Sequence, residues 1–260
     1  MDEVRRRKFS IREMIPTMVT LLALFAGLWA LRMALAGDYE AAIYCVVLSC
    51  LLDKVDGAIA RKLKASSEFG AQMDSLADFF DFGVVPGFIV YLWVSQDYYR
   101  FPEVACAWFS VLLLATCMAL RLARFNVSIA RDDPENPLNR YFFKGVPAPM
   151  AASLVLFPLI LSFSYPGLEI SPSLLIANTI LVAIAAGSTI PTPCFKKVEF
   201  KPLHEKISLL LKALLLIGLL TETWCSATII CIFYLASIVG SWFFYCRFRS
   251  SLGSRSSQRS

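Results

Sequence analysis

The sequence has few charged residues: they make up 17 % of its 260 positions, against roughly 25 % in an ordinary soluble chain. Hydrophobic residues make up 57 % and occur in long runs. Runs near ~20 residues can cross a bilayer core as helices, which satisfy their own backbone hydrogen bonds there. This composition excludes an ordinary soluble protein and predicts an all-α, polytopic membrane protein.

Other features are missing as well. The eight cysteines form no CxxC pair, so no disulfide framework is predicted. No small-residue cleavage site follows the first apolar run, which is interpreted as a retained span. The basic residues form no stripe with interleaved aromatics, which argues against nucleic-acid binding. The only histidine, His204, lies in a polar loop and is interpreted as a surface residue.

The apolar runs predict eight spanning helices. They cover approximately Met14–Ala36, Tyr39–Ala60, Ser75–Val94, Glu103–Ala123, Pro147–Phe163, Ser173–Ile190, Ile207–Leu220 and Trp224–Tyr245. The seventh is short and contains Lys212, so it is alternatively tilted, interfacial or part of the eighth. Residues 1–13 are predicted to be a basic or amphipathic cytoplasmic segment, 14–246 one membrane-embedded domain, and 247–260 a disordered basic tail.

Lysine and arginine cluster on one side of these spans. The opposite loops contain only Arg100, with Arg32 near a helix end. Cytoplasmic loops carry such an excess of basic residues. An even number of spans with both termini in the cytoplasm fits this asymmetry. The predicted location is a bacterial-type inner membrane.

Four aspartates lie where the second and third predicted spans meet. Asp53 and Asp56 end one span, and Asp74 and Asp78 begin the other. Spacings of three and four put each pair on one helix face, and the short loop between the spans makes them antiparallel neighbours. The four carboxylates are therefore expected to converge on the cytoplasmic side. Their mutual repulsion requires a cation, and clustered hard oxygen ligands select Mg²⁺, Mn²⁺ or Ca²⁺ rather than Zn²⁺.

Small and basic residues beside these aspartates suit a phosphate-containing ligand. Gly57 and Gly70 allow a ligand or a backbone to approach closely. Arg61 can bind two phosphate oxygens at once. Asp53 lies eight residues before Arg61, so it is about 12 Å deeper along the helix. That depth suits a substrate with a nucleotide diphosphate head and a lipid tail.

The pattern D-x2-D-G-x2-A-R-x8-G-x3-D-x3-D resembles the signature of the CDP-alcohol phosphotransferase family. All fixed positions match: Asp53, Asp56, Gly57, Ala60, Arg61, Gly70, Asp74 and Asp78. The resemblance implies that the four aspartates bind one or two Mg²⁺ or Mn²⁺ ions and that Asp78 is also the general base. It implies CDP and phosphate contacts from Gly57, Ala60, Arg61 and Gly70, and it suggests a homodimer. No separate nucleophile is found, which favours direct in-line transfer.

Further segments resemble the phosphatidylserine synthases of this family. They are DSLADFFDFGVVP at 74–86, RLARFN at 121–126, KGVPAP at 144–149 and STIPTP at 188–193, together with Ile15, Pro16 and Thr20 near the start. The resemblance implies CDP-diacylglycerol as donor, L-serine as acceptor, and phosphatidylserine and CMP as products. Arg121, Arg124, Asn126 and Lys144 are the residues proposed to bind serine. Each is alternatively an ordinary residue of the positively charged side.

Two positions depart from the family pattern. Thr17 follows Pro16 where asparagine is frequent, and Asp81 stands one turn beyond Asp78 where a small polar residue is common. Asp81 is interpreted either as a further ligand or supporting group of the metal site, or as a carboxylate paired with a basic residue such as Lys54.

Two other functions stay open. A phosphatidylglycerophosphate synthase uses the same lipid donor with glycerol 3-phosphate, and should present more phosphate-binding cations. A cation transporter also carries carboxylates in its spans, but near the bilayer midplane and often in broken helices. Incorporation of labelled serine or glycerol 3-phosphate distinguishes the synthases, and substrate-dependent CMP release distinguishes both from a transporter.

Overall fold

The computed structural model of the chain describes residues 11–65, 67–97, 101–130, 142–165, 167–188, 191–193, 224–237 and 240. The elements in chain order are α1 Ile11–Leu35, α2 Tyr39–Leu63, α3 Glu68–Asp78, a π-helical segment Phe79–Val84, α4 Val85–Asp97, α5 Phe101–Ala130, β1 Phe142–Lys144, α6 Ala148–Ser164, α7 Pro172–Gly187, β2 Pro191–Pro193 and α8 Trp224–Ser237. The described chain is helical apart from the two short strands, so the predicted helical class is confirmed. It divides into two compact units, Met1–Ala115 and Thr116–Ser260.

Three helical stretches are long and apolar enough to cross a membrane: Met14–Leu35, Glu68–Gln96 and Pro102–Val127. The helices α6, α7 and α8 are apolar but shorter. Helix α2 has 25 residues, but Asp53, Lys54 and Asp56 make it more charged than these. The predicted count of eight spans is not confirmed. The predicted seventh span, 207–220, the N-terminal residues 1–10 and the tail 247–260 lie outside the described residues.

In the first unit, α1 packs mainly against α2 through small side chains. Four alanines at spacings of three and four are at most 8 % exposed: Ala23, Ala26, Ala30 and Ala34. On α2, Ala42, Ile43 and Val46 are buried. Small residues let two backbones approach closely, as is usual where helices associate in a membrane.

The helices α3 and α4 and the π-helical segment form one continuous run from Glu68 to Asp97. This run begins earlier than the predicted start at Ser75. Ser67 caps its first turn, because the Ser67 hydroxyl accepts a hydrogen bond of 3.0 Å from the Gly70 N–H. Asp74 and Asp78 therefore lie well inside a helix, with the π-helical turns directly after Asp78.

In the second unit, α6 and α7 pack together at a proline. Pro158 lies inside α6 and has no N–H, so it leaves the Leu154 carbonyl without its helical donor. Asn178 of α7 donates through Nδ2 to the Leu154 carbonyl at 2.9 Å and to the Val155 carbonyl at 3.2 Å. A side chain thus replaces the missing backbone donor, as a water-free interior requires.

Many large side chains on the outside of these helices are apolar. Phe25 is 65 % exposed, Leu181 67 % and Phe233 69 %. Apolar outer faces together with apolar spans are typical of helices surrounded by lipid. The structure is therefore that of a membrane-associated protein.

Candidate active site

Three of the four predicted metal ligands come together. Asp53 and Asp56 of α2 and Asp74 of α3 each offer a carboxylate oxygen, and these oxygens lie within 4.8 Å of one another. We call these three residues the acidic triad. Three clustered carboxylates are the donor set that a hard divalent cation prefers, so the residues present fit Mg²⁺ or Mn²⁺. Asp78, four residues beyond Asp74, is outside this 4.8 Å group, and its role as a fourth metal ligand stays a prediction.

Helix α1 holds one member of the triad in place. The Thr20 hydroxyl donates a hydrogen bond of 2.6 Å to Asp56 Oδ2. Thr20 is 5 % exposed and Asp56 4 % exposed. An O–H···O⁻ bond of this length is typical of a charge-assisted bond. It fixes one oxygen of Asp56 and therefore the orientation of the whole carboxylate. Thr20 is part of the family resemblance in the sequence, but this contact with Asp56 was not predicted.

The two glycines of the signature have different surroundings. A Cβ at Gly57 would lie 3.3 Å from Arg61 Nη1, so the Arg61 guanidinium group lies over the backbone of Gly57. Gly57 directly follows Asp56 in the chain. A Cβ at Gly70 would lie 3.1 Å from Ser67 Oγ and 3.7 Å from Thr17 Oγ1, so this glycine lets α3 begin close to α1. The phosphate contacts of four residues stay predictions: Gly57, Ala60, Arg61 and Gly70.

Asp81 lies in the π-helical segment and is 1 % exposed. The Ser49 hydroxyl of α2 donates a hydrogen bond of 2.6 Å to Asp81 Oδ2. The Lys54 side chain is exposed. Within the described part of the chain, Asp81 therefore has a hydroxyl partner on α2, in place of the ion pair with Lys54 that one interpretation suggested.

The four residues predicted to bind the acceptor belong to the second unit: Arg121, Arg124, Asn126 and Lys144. Arg121 and Asn126 are half-buried, and Arg124 is exposed. The Arg124 guanidinium donates to the carbonyl of Gly187, the last residue of α7. A Cβ at Gly187 would lie 3.1 Å from Cys117 Sγ, so α5 and α7 approach closely at this point.

The strands β1 and β2 lie at the same end of α7. They pair antiparallel, with Lys144 opposite Pro191. Gly145 follows β1 with φ +82°, and a Cβ there would lie 2.9 Å from the carbonyl oxygens of Ala186 and Ser188. Only glycine allows both this backbone conformation and this approach. The segments RLARFN, KGVPAP and STIPTP therefore meet at the end of α7, although they are far apart in the sequence.

Comparison with known proteins identifies the class of this chain. A family model described as CDP-alcohol phosphatidyltransferase matches residues 13–191. The matched range contains the acidic triad, Arg61 and Asp78. The chain belongs to the CDP-alcohol phosphatidyltransferase family, which confirms the predicted family and the predicted transferase class. A cation transporter does not fit this membership.

Several relatives share a more specific name. The CDP-diacylglycerol–serine O-phosphatidyltransferase of Helicobacter pylori is 35 % identical over 188 residues, which are 72 % of this chain and 75 % of that protein. The Bacillus subtilis protein of the same name is 34 % identical over 185 residues, 70 % of this chain and 92 % of that protein. A crystal structure of Mycobacterium tuberculosis phosphatidylinositol phosphate synthase with manganese and citrate is 24 % identical, with a TM-score of 0.49 over 67 % of this chain and 78 % of that chain.

Proposed function

We propose that this enzyme transfers the phosphatidyl group of CDP-diacylglycerol to L-serine, giving phosphatidylserine and CMP. The observation that carries the proposal is the acidic triad, whose oxygens lie within 4.8 Å of one another. The guanidinium group of Arg61, the arginine of the family signature, lies over Gly57, the residue that follows Asp56. Such a site suits a cation together with a diphosphate, which is the reacting part of a CDP-linked lipid. The choice of serine is supported by the names of the relatives in Helicobacter pylori and Bacillus subtilis.

The triad residues Asp53, Asp56 and Asp74 would hold Mg²⁺ or Mn²⁺, which when bound neutralises diphosphate charge and stabilises the departing CMP. Asp78 accepts the proton of the serine hydroxyl while the hydroxyl oxygen attacks the phosphorus in line. A new P–O bond forms, the P–O bond to CMP breaks, and CMP leaves with that electron pair. Asp78 then releases its proton to solvent. Arg61 binds the phosphate oxygens.

The residues proposed to bind serine all belong to the second unit. Arg121, Arg124, Asn126 and Lys144 provide donors for the serine carboxylate. Arg124 already donates to the Gly187 carbonyl, but a guanidinium group has five N–H donors, so others are left for a ligand. The convergence of three family segments at the end of α7 supports this assignment. The distribution of basic residues supports a site on the cytoplasmic side, and the family resemblance supports a homodimer.

The test uses the purified enzyme in detergent with CDP-diacylglycerol and Mg²⁺ or Mn²⁺. Labelled serine is expected to enter the lipid product, with one CMP released for each serine incorporated. Asp56→Asn should abolish both signals. Asp38→Asn is its matched control on the same helix, because Asp38 caps α2 and asparagine caps a helix equally well. Incorporation of glycerol 3-phosphate but not serine would refute serine as the acceptor. Absence of CMP release with either alcohol would refute the proposed phosphatidyl transfer.

A further inference from the structure

Asp81 is a buried acidic residue that the proposed reaction does not use. It lies in the π-helical segment, three residues beyond Asp78, with 1 % of its surface exposed. A carboxyl group inside a membrane protein is costly and is retained mainly where it has a use. π-helical turns are also frequent at functional sites. These two facts make Asp81 the strongest candidate for a further role in this chain.

Asp81 connects three helical elements. Its Oδ2 accepts a hydrogen bond of 2.6 Å from Ser49 of α2, whose side chain is fully buried. Its Oδ1 faces α1, where a Cβ at Gly27 would overlap it. The Gly27 Cα–H bond that takes the place of a Cα–Cβ bond points at this oxygen and makes at most a weak contact with it. Among the described residues, Oδ1 has no conventional hydrogen-bond partner. Asp81 thus occupies a slot that exists because residue 27 is glycine.

This slot lies on the same helix faces as the acidic triad. Residues separated by three, four or seven positions lie on one face of a helix. On α2 these residues are Ser49, Asp53 and Asp56, and on α1 they are Thr20 and Gly27. Seven residues of helix rise about 10 Å. Two polar layers therefore cross the same helices. One contains the triad and Thr20, and the other contains Asp81, Ser49 and Gly27.

We infer that Asp81 is a positioning residue, whose contacts with Ser49 and Gly27 set the rotation of the helical run carrying Asp74 and Asp78 relative to α1 and α2. The inference rests on the proposed metal site. A π-helical turn contains an extra residue, so it changes the angular relation between the residues before and after it. Asp81 supplies a fixed point inside this turn. What it needs for this role is an acceptor oxygen towards Ser49 and a fit against Gly27, and not its charge.

Binding of Mn²⁺ to the purified protein without substrates, followed by electron paramagnetic resonance, tests the inference independently of catalysis. Asp81→Ala and Ser49→Ala remove the bond to α2, and Gly27→Ala fills the slot while keeping Asp81 and its charge. We expect each to weaken Mn²⁺ binding about tenfold, the usual loss when a group that orients a metal site is removed. Asp81→Asn keeps an acceptor oxygen for Ser49, so its affinity should stay within about threefold of the wild type.

Gly87→Ala is the matched control for Gly27→Ala. A Cβ at Gly87 would lie 3.3 Å from Val111 Cγ1 and 3.4 Å from Leu114 Cδ2, so the added methyl group is crowded against α5 in the same unit. Thermal unfolding in detergent measures the structural cost of both changes. Gly87→Ala should lower the unfolding temperature without changing the Mn²⁺ affinity.

Three results would overturn the inference. The first is an Asp81→Asn protein that binds Mn²⁺ as poorly as Asp81→Ala, because equal losses mean that Asp81 acts through its charge. Folded Gly27→Ala and Ser49→Ala proteins with wild-type affinity would show that the contacts do not orient the triad. A wild-type protein that binds no Mn²⁺ would refute the proposed metal site and the inference with it. Mn²⁺ binding without serine transfer would instead refute only serine as the acceptor. If the Gly27→Ala and Ser49→Ala proteins do not fold, the comparison of Asp81→Asn with Asp81→Ala decides the inference.

Discussion

Replacing Thr20 with valine tests whether the hydroxyl that α1 presents to the acidic triad supports metal binding. Valine has nearly the shape of threonine, and the residue is 5 % exposed, so α1 should still pack on α2. The change removes the 2.6 Å hydrogen bond to Asp56 Oδ2. Asp56 then keeps its charge but loses the donor that fixes its orientation.

The size of the effect follows from the role of the bond. The Thr20–Asp56 bond is also present without a metal, so its removal affects Mn²⁺ binding through the lost orientation of the Asp56 carboxylate. Loss of a group that orients a metal ligand typically weakens metal binding about 10- to 100-fold, and we expect a rise of this size in the Mn²⁺ concentration needed for half-maximal activity. The turnover rate at saturating Mn²⁺ should largely recover, because all three carboxylates of the triad are still present.

The assay is CMP release from CDP-diacylglycerol and serine over a series of Mn²⁺ concentrations. Thr20→Ser keeps the hydroxyl and should retain most of the wild-type Mn²⁺ dependence. Thr179→Val controls for the loss of a buried hydroxyl elsewhere, because Thr179 Oγ1 donates only within its own helix, to the Leu175 carbonyl at 2.8 Å. A folded Thr20→Val enzyme with an unchanged Mn²⁺ dependence would refute this reasoning.

Two further predictions concern single residues. Asp78→Asn should lower turnover about 10²- to 10⁴-fold, the usual contribution of a general base, while Mn²⁺ binding stays close to that of the wild type because Asp78 is outside the triad. Loss of Mn²⁺ binding in this variant would contradict the separate roles. Gly145→Ala should destabilise the protein more than Gly167→Ala in thermal unfolding. The two glycines have φ of +82° and +100°, but only Gly145 has carbonyl oxygens 2.9 Å from an added Cβ. Equal losses would show that the contact with the end of α7 contributes nothing.

The acidic triad was predictable because helix periodicity and a short loop are local features. The spacing of Asp53 and Asp56 fixes their common face, and the loop brings the next helix beside it. Periodicity also puts Asp74 and Asp78 on one face, which led to the expected quartet. Which of the two carboxylates lies within 4.8 Å of Asp53 and Asp56 depends on the rotation of the helical run, and no spacing within one helix contains that information.

The layer around Asp81 could not be predicted for the same reason. The segment FFDFGV has no feature that separates a π-helix from an α-helix, since both are compatible with its apolar residues. Its partner Ser49 lies 32 positions earlier in the chain. The two meet because the π-helical segment packs against both α1 and α2. The departure of Asp81 from the family pattern is visible in the sequence, but its partner Ser49 was not predicted.

The two strands were missed because the composition of β2 argues against a strand. Proline is normally confined to edge strands, and two of the three residues of β2 are prolines. The resemblance of KGVPAP and STIPTP to family segments indicated that both matter, but not that they pair. Their contact requires the positive φ of Gly145 and its approach to α7, which are visible only in three dimensions.

The prolines of β2 also limit the backbone hydrogen bonds that this strand can donate. Pro191 and Pro193 have no N–H, so Thr192 is the only residue of this strand able to donate to a neighbour. Successive residues of a strand direct their N–H groups to opposite sides, so one side of β2 has no donor at all. On that side β2 can only accept hydrogen bonds, so no regular ladder with donors from both strands can form there. The two prolines thereby restrict this strand to a single donated backbone hydrogen bond.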